Sequence, residues 1–152
     1  MQEKICQIKY PCRVDTMIER MIKKVSPHLP LKILQATWDG TVFHFYGSGW
    51  GFSTLSAWRI STNEKLVLGC YDDRSTEEIS ILQDLEIVEI QVQETLLRID
   101  PVFVLSNQHK IEIFSTDTYE PWTFGVNGLG LDIGVYVASP QEPKDFNSKE
   151  DH

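Results

Sequence analysis

Few residues in this chain have the type and spacing that catalysis or metal binding requires. The four histidines form neither an H-E-x-x-H pattern nor another recognisable metal-ligand spacing. His44 lies in a strand-like run and is expected at the surface rather than at a metal. Asp72 and Asp73, in "YDDRS", could together hold a metal ion or act as acid and base. Such a pair is more often the solvated turn before a helix, and both interpretations stay open.

The glycine and serine motifs lack the partners that catalysis needs. The glycine-rich "GSGWG" at 47–51 has no P-loop lysine and begins no predicted helix, so it favours a loop or bulge. Ser53 and Ser115 lie in neither a G-x-S-x-G elbow nor an evident Ser-His-Asp context. We therefore expect no enzyme, metal or cofactor, although active sites also assemble from residues distant in sequence.

The net charge of −8 is unevenly distributed along the chain. Residues 1–70 carry nine Lys/Arg and five Asp/Glu, a net of +4, whereas residues 71–152 carry five and seventeen, a net of −12. An acidic half repels phosphate backbones, so nucleic acid is disfavoured as a partner and a basic protein is favoured. The alternative is that the acidic surface only maintains solubility.

Length and hydropathy favour one globular domain. A chain of 152 residues can bury a substantial core. No apolar run approaches the roughly 20 residues that span a bilayer, and the N-terminus does not resemble a signal peptide.

The odd cysteine count, with Cys6 and Cys12 at a C-x5-C spacing and Cys70 apart, favours reduced thiols. We expect a cytoplasmic protein that is monomeric and not bound to a membrane.

Two helices are predicted. In "VDTMIERMIKKVSPHLP", apolar residues recur at helical spacing between Met17 and Val25. Asp15 is expected to cap the start of this helix, and Ser26-Pro27 to end it. A connecting helix is expected in "DDRSTEEISILQDL", where Ser75 and Glu78 fit a capping box.

Strands dominate from residue 31 onward. "KILQATWDGTVFHFYG" alternates around Asp39-Gly40, a pair that favours a tight hairpin. "EIVEIQVQ", "TLLRIDPVFVLS" and "KIEIFS" are predicted as further strands, and "PWTFGVNGLGLDIGVYV" as one or two closing strands. The segment 139–152 is predicted to be a disordered acidic tail. The single globular domain is therefore expected to cover residues 1–138.

A short echo in the sequence predicts an internal repeat. "FSTLSAWRI" at 52–60 and "FSTDTYEPWTF" at 114–124 share Phe-Ser-Thr followed by Trp, each after a strand–turn–strand pattern. The predicted halves cover about 31–70 and 86–137. The expected fold is α+β and mostly β, with two related curved antiparallel units and the two helices. The Phe and Trp of both copies are expected at equivalent positions between the units, after turns formed by Ser and Thr.

The same motifs carry a resemblance to known proteins. "STDTYEPWTF" at 115–124, its counterpart "STLSAWRI" at 53–60 and the "DG" turn resemble a family of small bacterial proteins built from two β-rich halves. Several of these are similar to immunity proteins encoded beside polymorphic or contact-dependent toxins. The resemblance covers roughly residues 31–126. It implies a binding scaffold, and no catalytic residue comes with it.

Charge and resemblance together predict a non-catalytic immunity protein that binds and neutralises a cognate toxin domain, expected to be basic. Carboxylates would steer the partner, and aromatic anchors would supply much of the affinity. One patch is expected at the start of the connecting helix and another before Trp122, with an anchor in the glycine-flanked loop. The predicted contact residues are Asp72, Asp73, Glu77, Glu78, Asp117, Tyr119, Glu120 and Trp50, each with a plain solvent-exposed turn residue as the alternative.

A second hypothesis belongs to a different functional class. Duplicated β units can leave a groove at their junction, where small molecules bind. The aromatic segments Trp50–Trp58 and Tyr119–Trp122 could line such a cleft. The alternative function is therefore a small-molecule-binding or hydrolytic domain.

Overall fold

The protein is built mainly from antiparallel β-strands. The computed structural model describes residues 15–127 and the strand at 134–137; the remaining residues, including Cys6, Cys12 and the predicted tail, lie outside the described residues. The helices of the described part are α1 (Met17–Val25) and α2 (Ser75–Glu78), each followed by a short 3-10 turn (Ser26–His28 and Ile79–Leu82). Its strands are β1 (Leu31–Lys32), β2 (Gln35–Trp38), β3 (Phe43–Gly47), β4 (Trp50–Thr54), β5 (Ala57–Ser61), β6 (Leu66–Gly69), β7 (Glu86–Val92), β8 (Pro101–Leu105), β9 (Lys110–Phe114), β10 (Trp122–Val126) and β11 (Gly134–Val137).

These strands form two sheets that exchange strands. The six-stranded sheet has the order β1-β7-β8-β9-β5-β6, and the five-stranded sheet has the order β11-β10-β4-β3-β2. In each half, three consecutive strands form a meander, and the fourth crosses to pair with the third strand of the other meander. The α+β, mostly β architecture with two helices is confirmed. The strand order of the halves corresponds, whereas a common origin by duplication stays a prediction.

Aromatic side chains fill the space between the sheets. Phe103, on β8 of the six-stranded sheet, has its ring centroid 5.2 Å from that of Phe45 and 5.0 Å from that of Phe52, both on the five-stranded sheet. Trp58 on β5 stacks on Phe43 at 4.4 Å in the same way. Each such buried ring stabilises the fold by about 1.5–3 kcal/mol, so this layer is the core that joins the halves.

The two copies of the Phe-Ser-Thr…Trp echo are only partly equivalent. Trp58 and Trp122 are both buried, as expected, but only Trp122 donates its indole N–H to an acceptor within the described residues. Phe52 is fully buried, whereas Phe114 lies on the outer face of its sheet beneath the Arg59 guanidinium. The expected equivalence of the phenylalanines is wrong. Side chains alternate between faces along a strand, and the buried neighbour Ile113 takes the inner position.

Helix α1 has the predicted extent and apolar stripe. Ile18, Met21 and Val25 are buried against the core, and the helix gives way to the Ser26–His28 turn as expected. The predicted cap is wrong by one residue, because Thr16 makes the capping box with Glu19. The Asp15 carboxylate instead accepts from Lys23 Nζ at 2.5 Å.

The connecting helix is shorter than predicted and is capped differently. α2 ends at Glu78 and continues as a 3-10 turn. Ser75 is the first helical residue rather than the cap, so the predicted capping box is wrong. Its hydroxyl donates to the Asp72 carbonyl oxygen at 2.9 Å, which closes the preceding loop onto the helix.

The predicted hairpin at Asp39-Gly40 is present, whereas one predicted strand segment is a loop. The Asp39-Gly40 hairpin is confirmed: β2 pairs with β3, Gly40 has a φ of +95°, and Asp39 Oδ1 accepts the N–H groups of Thr41 and Val42 at 2.8 Å. These bonds hold the pKa of Asp39 below its usual value. By contrast, residues 94–100 form a loop rather than the start of a strand, so the predicted run "TLLRID" is not extended.

Candidate functional site at one end of the sandwich

One end of the sandwich brings together loops from both sheets. Trp38 and Thr54 lie at this end because both pair with Phe43. Ala57 and Phe114 pair there in the other sheet. We call this the loop end; its segments are residues 39–42, 55–56, 70–74, 93–100 and 115–121.

Buried hydroxyl groups connect the two crossovers at the loop end. Thr54 Oγ1 donates to the Pro121 carbonyl oxygen at 2.6 Å and accepts the Ser56 N–H at 2.8 Å. Ser56 Oγ donates to the same carbonyl at 3.2 Å and accepts the Thr116 N–H at 3.1 Å. The Ser and Thr residues near each echo therefore hold the crossovers together.

Asp100 lies next to this network with 3% of its surface exposed. Its carboxylate accepts the Ser115 N–H at 2.8 Å, the Ser115 hydroxyl, and the Trp122 indole N–H at 3.1 Å. Burial raises the pKa of Asp100, and this effect outweighs the opposing hydrogen bonds. The carboxylate is enclosed and fixes the 115–122 segment, so its role is positioning rather than contact with a partner.

The first predicted patch is exposed except at Glu78, and its carboxylates differ in their contacts. Asp72 Oδ2 accepts the Gly69 N–H at 2.8 Å and so supports its own loop. Glu78 is half-buried and pairs with Arg74 at 2.5 Å. Asp73 and Glu77 are exposed, and their side chains make no ion pair or hydrogen bond within the described residues. These two carboxylates are the ones available to a partner.

The second predicted patch lies in the 115–121 loop. The Asp117 carboxylate accepts the Tyr119 N–H at 2.9 Å, which shapes the loop. The Tyr119 side chain is 76% exposed, and Glu120 beside it is exposed with a φ of +49°. Asp117 therefore presents Tyr119 and Glu120 to solvent.

The fold brings the two patches to the same end. β6 and β9 flank β5, so the loops that follow them lie on either side of the 55–56 crossover. The Cys70 N–H donates to the Trp58 carbonyl oxygen, which keeps the 70–74 loop beside β5. Two strand spacings, about 10 Å, separate the loops at their bases. A single partner can therefore contact both.

Exposed apolar side chains at the loop end were missed by sequence reasoning. Tyr71 is 87% exposed and Leu96 is 99% exposed, and Leu55 and Leu97 are exposed as well. The adjacent leucines in "TLLR" break the strand alternation, and this break was the available signal. Exposed apolar patches with a polar rim occur at protein-interaction surfaces.

Trp50 is a core residue, and its prediction as a loop anchor is wrong. It begins β4, is 6% exposed, and packs against Phe45 and Phe124 at 6.0 and 6.3 Å. A Cβ on Gly47 would lie 2.4 Å from its indole nitrogen and 2.1 Å from the Lys32 carbonyl oxygen. Gly47 therefore lets the indole pack closely, and the turn at 48–49 lies between the strands rather than around an exposed indole.

The predicted cleft between the halves is filled. Trp50, Trp58 and Trp122, which were expected to line it, are all buried in the layer between the sheets. Tyr119 points into solvent instead. The aromatic segments thus serve packing, and a ligand would have to bind elsewhere.

His44 and Ser53 form a pair that sequence reasoning did not find. The two residues face each other on neighbouring strands of the five-stranded sheet, with His44 Nδ1 2.6 Å from Ser53 Oγ. The imidazole also packs against the Tyr46 ring in a tilted arrangement, with the ring centroids 4.9 Å apart. Within residues 15–127 no carboxylate is hydrogen-bonded to the imidazole, so the orienting third group of a triad is missing there.

Metal-binding geometry, membrane-spanning helices and known relatives add no further assignment of function. Residues 15–127 contain no group of three or more His, Cys, Asp or Glu side chains placed to hold a metal ion. None of the helices in that range is long and apolar enough to cross a bilayer. Comparisons with protein-family models, curated proteins and solved structures found no match to this chain.

Proposed function

We propose that this chain is a non-catalytic immunity protein that binds a cognate bacterial toxin domain through its loop end. The observation that carries the proposal is that Asp73, Glu120, Tyr71 and Tyr119 are exposed on the two loops that flank the 55–56 crossover. Exposed tyrosines bury large area at low entropic cost, and unpaired carboxylates attract a basic partner before contact. The toxin domain is therefore expected to present a basic surface.

The rigidity of this end supports binding without chemistry. The crossover network and Asp100 fix the 55–56 and 115–121 segments to the core, so ordering them on binding costs little. An inhibitor needs only to occlude the toxin, and its scaffold can be a plain β-sandwich. We place the protein in the cytoplasm as a monomer, where it would meet an incoming toxin.

Co-expression with the toxin domain encoded beside the gene tests the proposal. Cells that carry both genes should grow, whereas cells with the toxin alone should die. The double variant Tyr71→Ala/Tyr119→Ala removes two exposed rings without touching the core and should abolish protection. Death of cells that carry wild type and toxin together would refute the proposed function.

A small-molecule-binding or hydrolytic domain remains the second candidate. The observation that favours it is no longer a cleft between the halves but a polar groove on the outside of the six-stranded sheet. Co-expression with the toxin separates the two candidates, because an immunity protein protects the cells, whereas a small-molecule-binding or hydrolytic domain leaves them unprotected.

A further inference from the structure

A polar groove runs across the outer face of the six-stranded sheet. It consists of two adjoining cavities of about 370 and 520 Å³ that share Lys110 and Glu112 as lining residues. The smaller cavity extends to the 62–65 loop, and the larger one extends to Arg98 in the 93–100 loop. Both volumes lie in the range of about 300–1,000 Å³ that is typical of small-molecule sites.

The carboxylate of Glu112 lies at the centre of the groove, and the Arg59 guanidinium compensates its charge. Glu112 accepts from Arg59 through both Nε and Nη2, at 2.7 and 3.1 Å, and from Ser61 Oγ at 2.5 Å. Burial opposes ionisation of Glu112, but these hydrogen bonds outweigh it and hold its pKa below the usual value. The Arg59 guanidinium also lies 5.0 Å from the centre of the Phe114 ring. Arg59 and Glu112 thus form a fixed ion pair, whose charges compensate each other, at the floor of the groove.

The remaining cations of the groove have no carboxylate partner in the part of the chain that the structure describes. Lys65, Lys110 and Arg98 make no ion pair within the described residues, and Glu94 is the one further carboxylate among the lining residues. The groove is therefore locally positive on a chain whose net charge is −8. Unpaired cations that converge on one concave surface attract anions.

The positions of these cations indicate the shape of a ligand. Lys110 belongs to both cavities, whereas Lys65 lies at one end of the groove and Arg98 at the other. A ligand that extends from Lys110 to one terminal cation can pair each of them with its own anionic group. A long nucleic acid would extend beyond the groove onto the acidic surface, where repulsion opposes it.

We propose that this groove is a binding site for a small organic anion with at least two phosphate or carboxylate groups. Lys110 binds one group, and Lys65 or Arg98 binds the second. In the smaller cavity, the Arg59 guanidinium, which Glu112 fixes, offers further N–H donors. This site is separate from the loop-end tyrosines, so it stands or falls independently of the immunity function.

Isothermal titration calorimetry at low ionic strength tests the site with three probes: citrate, ATP and inorganic phosphate. Wild type should bind citrate or ATP saturably and more tightly than phosphate, and the preferred probe distinguishes carboxylate from phosphate recognition. Lys110→Gln should weaken binding about tenfold, which corresponds to one charge-assisted contact. Arg98→Gln or Lys65→Gln should weaken it as well, and which of them does identifies the occupied cavity.

The matched control is Lys24→Gln on helix α1, which removes the same charge from an exposed residue outside the groove. It should leave the affinity unchanged, and urea unfolding should show that all variants remain folded. Absence of saturable binding by all three probes, or an equal loss in Lys24→Gln and Lys110→Gln, overturns the proposal.

Discussion

Ser56 Oγ accepts the backbone N–H of Thr116 at 3.1 Å, although the two residues are sixty positions apart. Ser56 follows β4 at the first crossover, and Thr116 follows β9 at the second. This bond joins the two places where the chain passes from one sheet to the other. The loops that carry the candidate contact surface therefore emerge from a fixed base.

Removing the hydroxyl at the crossover should destabilise the protein. Thr54→Val keeps the shape of the side chain but leaves the Ser56 N–H without its acceptor. An unsatisfied buried group costs about 1–3 kcal/mol, and we expect this loss in the free energy of unfolding measured with urea. The control is Thr37→Val on the exposed face of β2, which should change stability by less than about 0.5 kcal/mol. Equal effects of the two substitutions would show that the network does not support the crossovers.

Asp100 should make stability depend on pH in a defined direction. Its pKa is raised in the folded state, so the folded protein binds the proton more tightly than the unfolded chain. Its ionisation therefore costs stability above the raised pKa, and this cost disappears as the pH falls towards the ordinary aspartate pKa of about 3.9. Asp100→Asn keeps an acceptor for Ser115 but does not titrate.

The measurement is the free energy of unfolding of wild type minus that of Asp100→Asn between pH 7 and pH 4. Contributions from other groups cancel in this difference, which should shift in favour of wild type as the pH falls. A difference that is constant over this range, or that shifts in favour of Asp100→Asn, contradicts the assignment of Asp100 as a buried, desolvated carboxylate.

Neighbouring aspartates at the loop end should behave differently in stability measurements. Asp72→Ala removes the acceptor of the Gly69 N–H and should cost about 0.5–1.5 kcal/mol. Asp73→Ala changes the net charge equally but removes no bond within the described residues, so it should stay within about 0.5 kcal/mol of wild type. Chemical denaturation of both variants checks the difference. If Asp73→Ala proves the more destabilising, Asp73 is a structural residue and not a free contact.

The local elements were predictable where a short-range signal controls them. The apolar spacing from Ile18 to Val25 and the Asp39-Gly40 turn gave the helix and the hairpin, because both depend on neighbours in sequence. The exchange of strands between sheets was not predictable from these signals. It depends on pairings such as Trp58 with Ile113, between residues far apart in the chain.

The candidate site was predictable in composition but not in arrangement. The carboxylates at 72–73 and the Tyr119-Glu120 pair are exposed, as a turn-rich acidic segment suggests. Their shared location follows from the order β9-β5-β6, which the sequence does not reveal. The prediction for Trp50 was wrong because three nearby glycines are typical of a loop, whereas Gly47 here allows the indole to pack closely at the start of β4.

The proposed role of loop-end charge is tested most directly by the rate at which the chain associates with the proposed cognate toxin domain. Asp73→Asn/Glu120→Gln neutralises two loop-end carboxylates. The control Glu64→Gln/Glu89→Gln neutralises two exposed carboxylates outside the loop end. Each double variant removes two negative charges from a net charge of −8, so both carry a net charge of −6. Stopped-flow or surface plasmon resonance measurements at low salt give the rates.

The loop-end variant should associate about three to ten times more slowly than wild type and show a weaker salt dependence, because local charge steers encounter. The control should stay within about twofold of wild type. Equal slowing of both double variants, or no binding by wild type, would contradict the claim that the loop end captures a basic toxin domain.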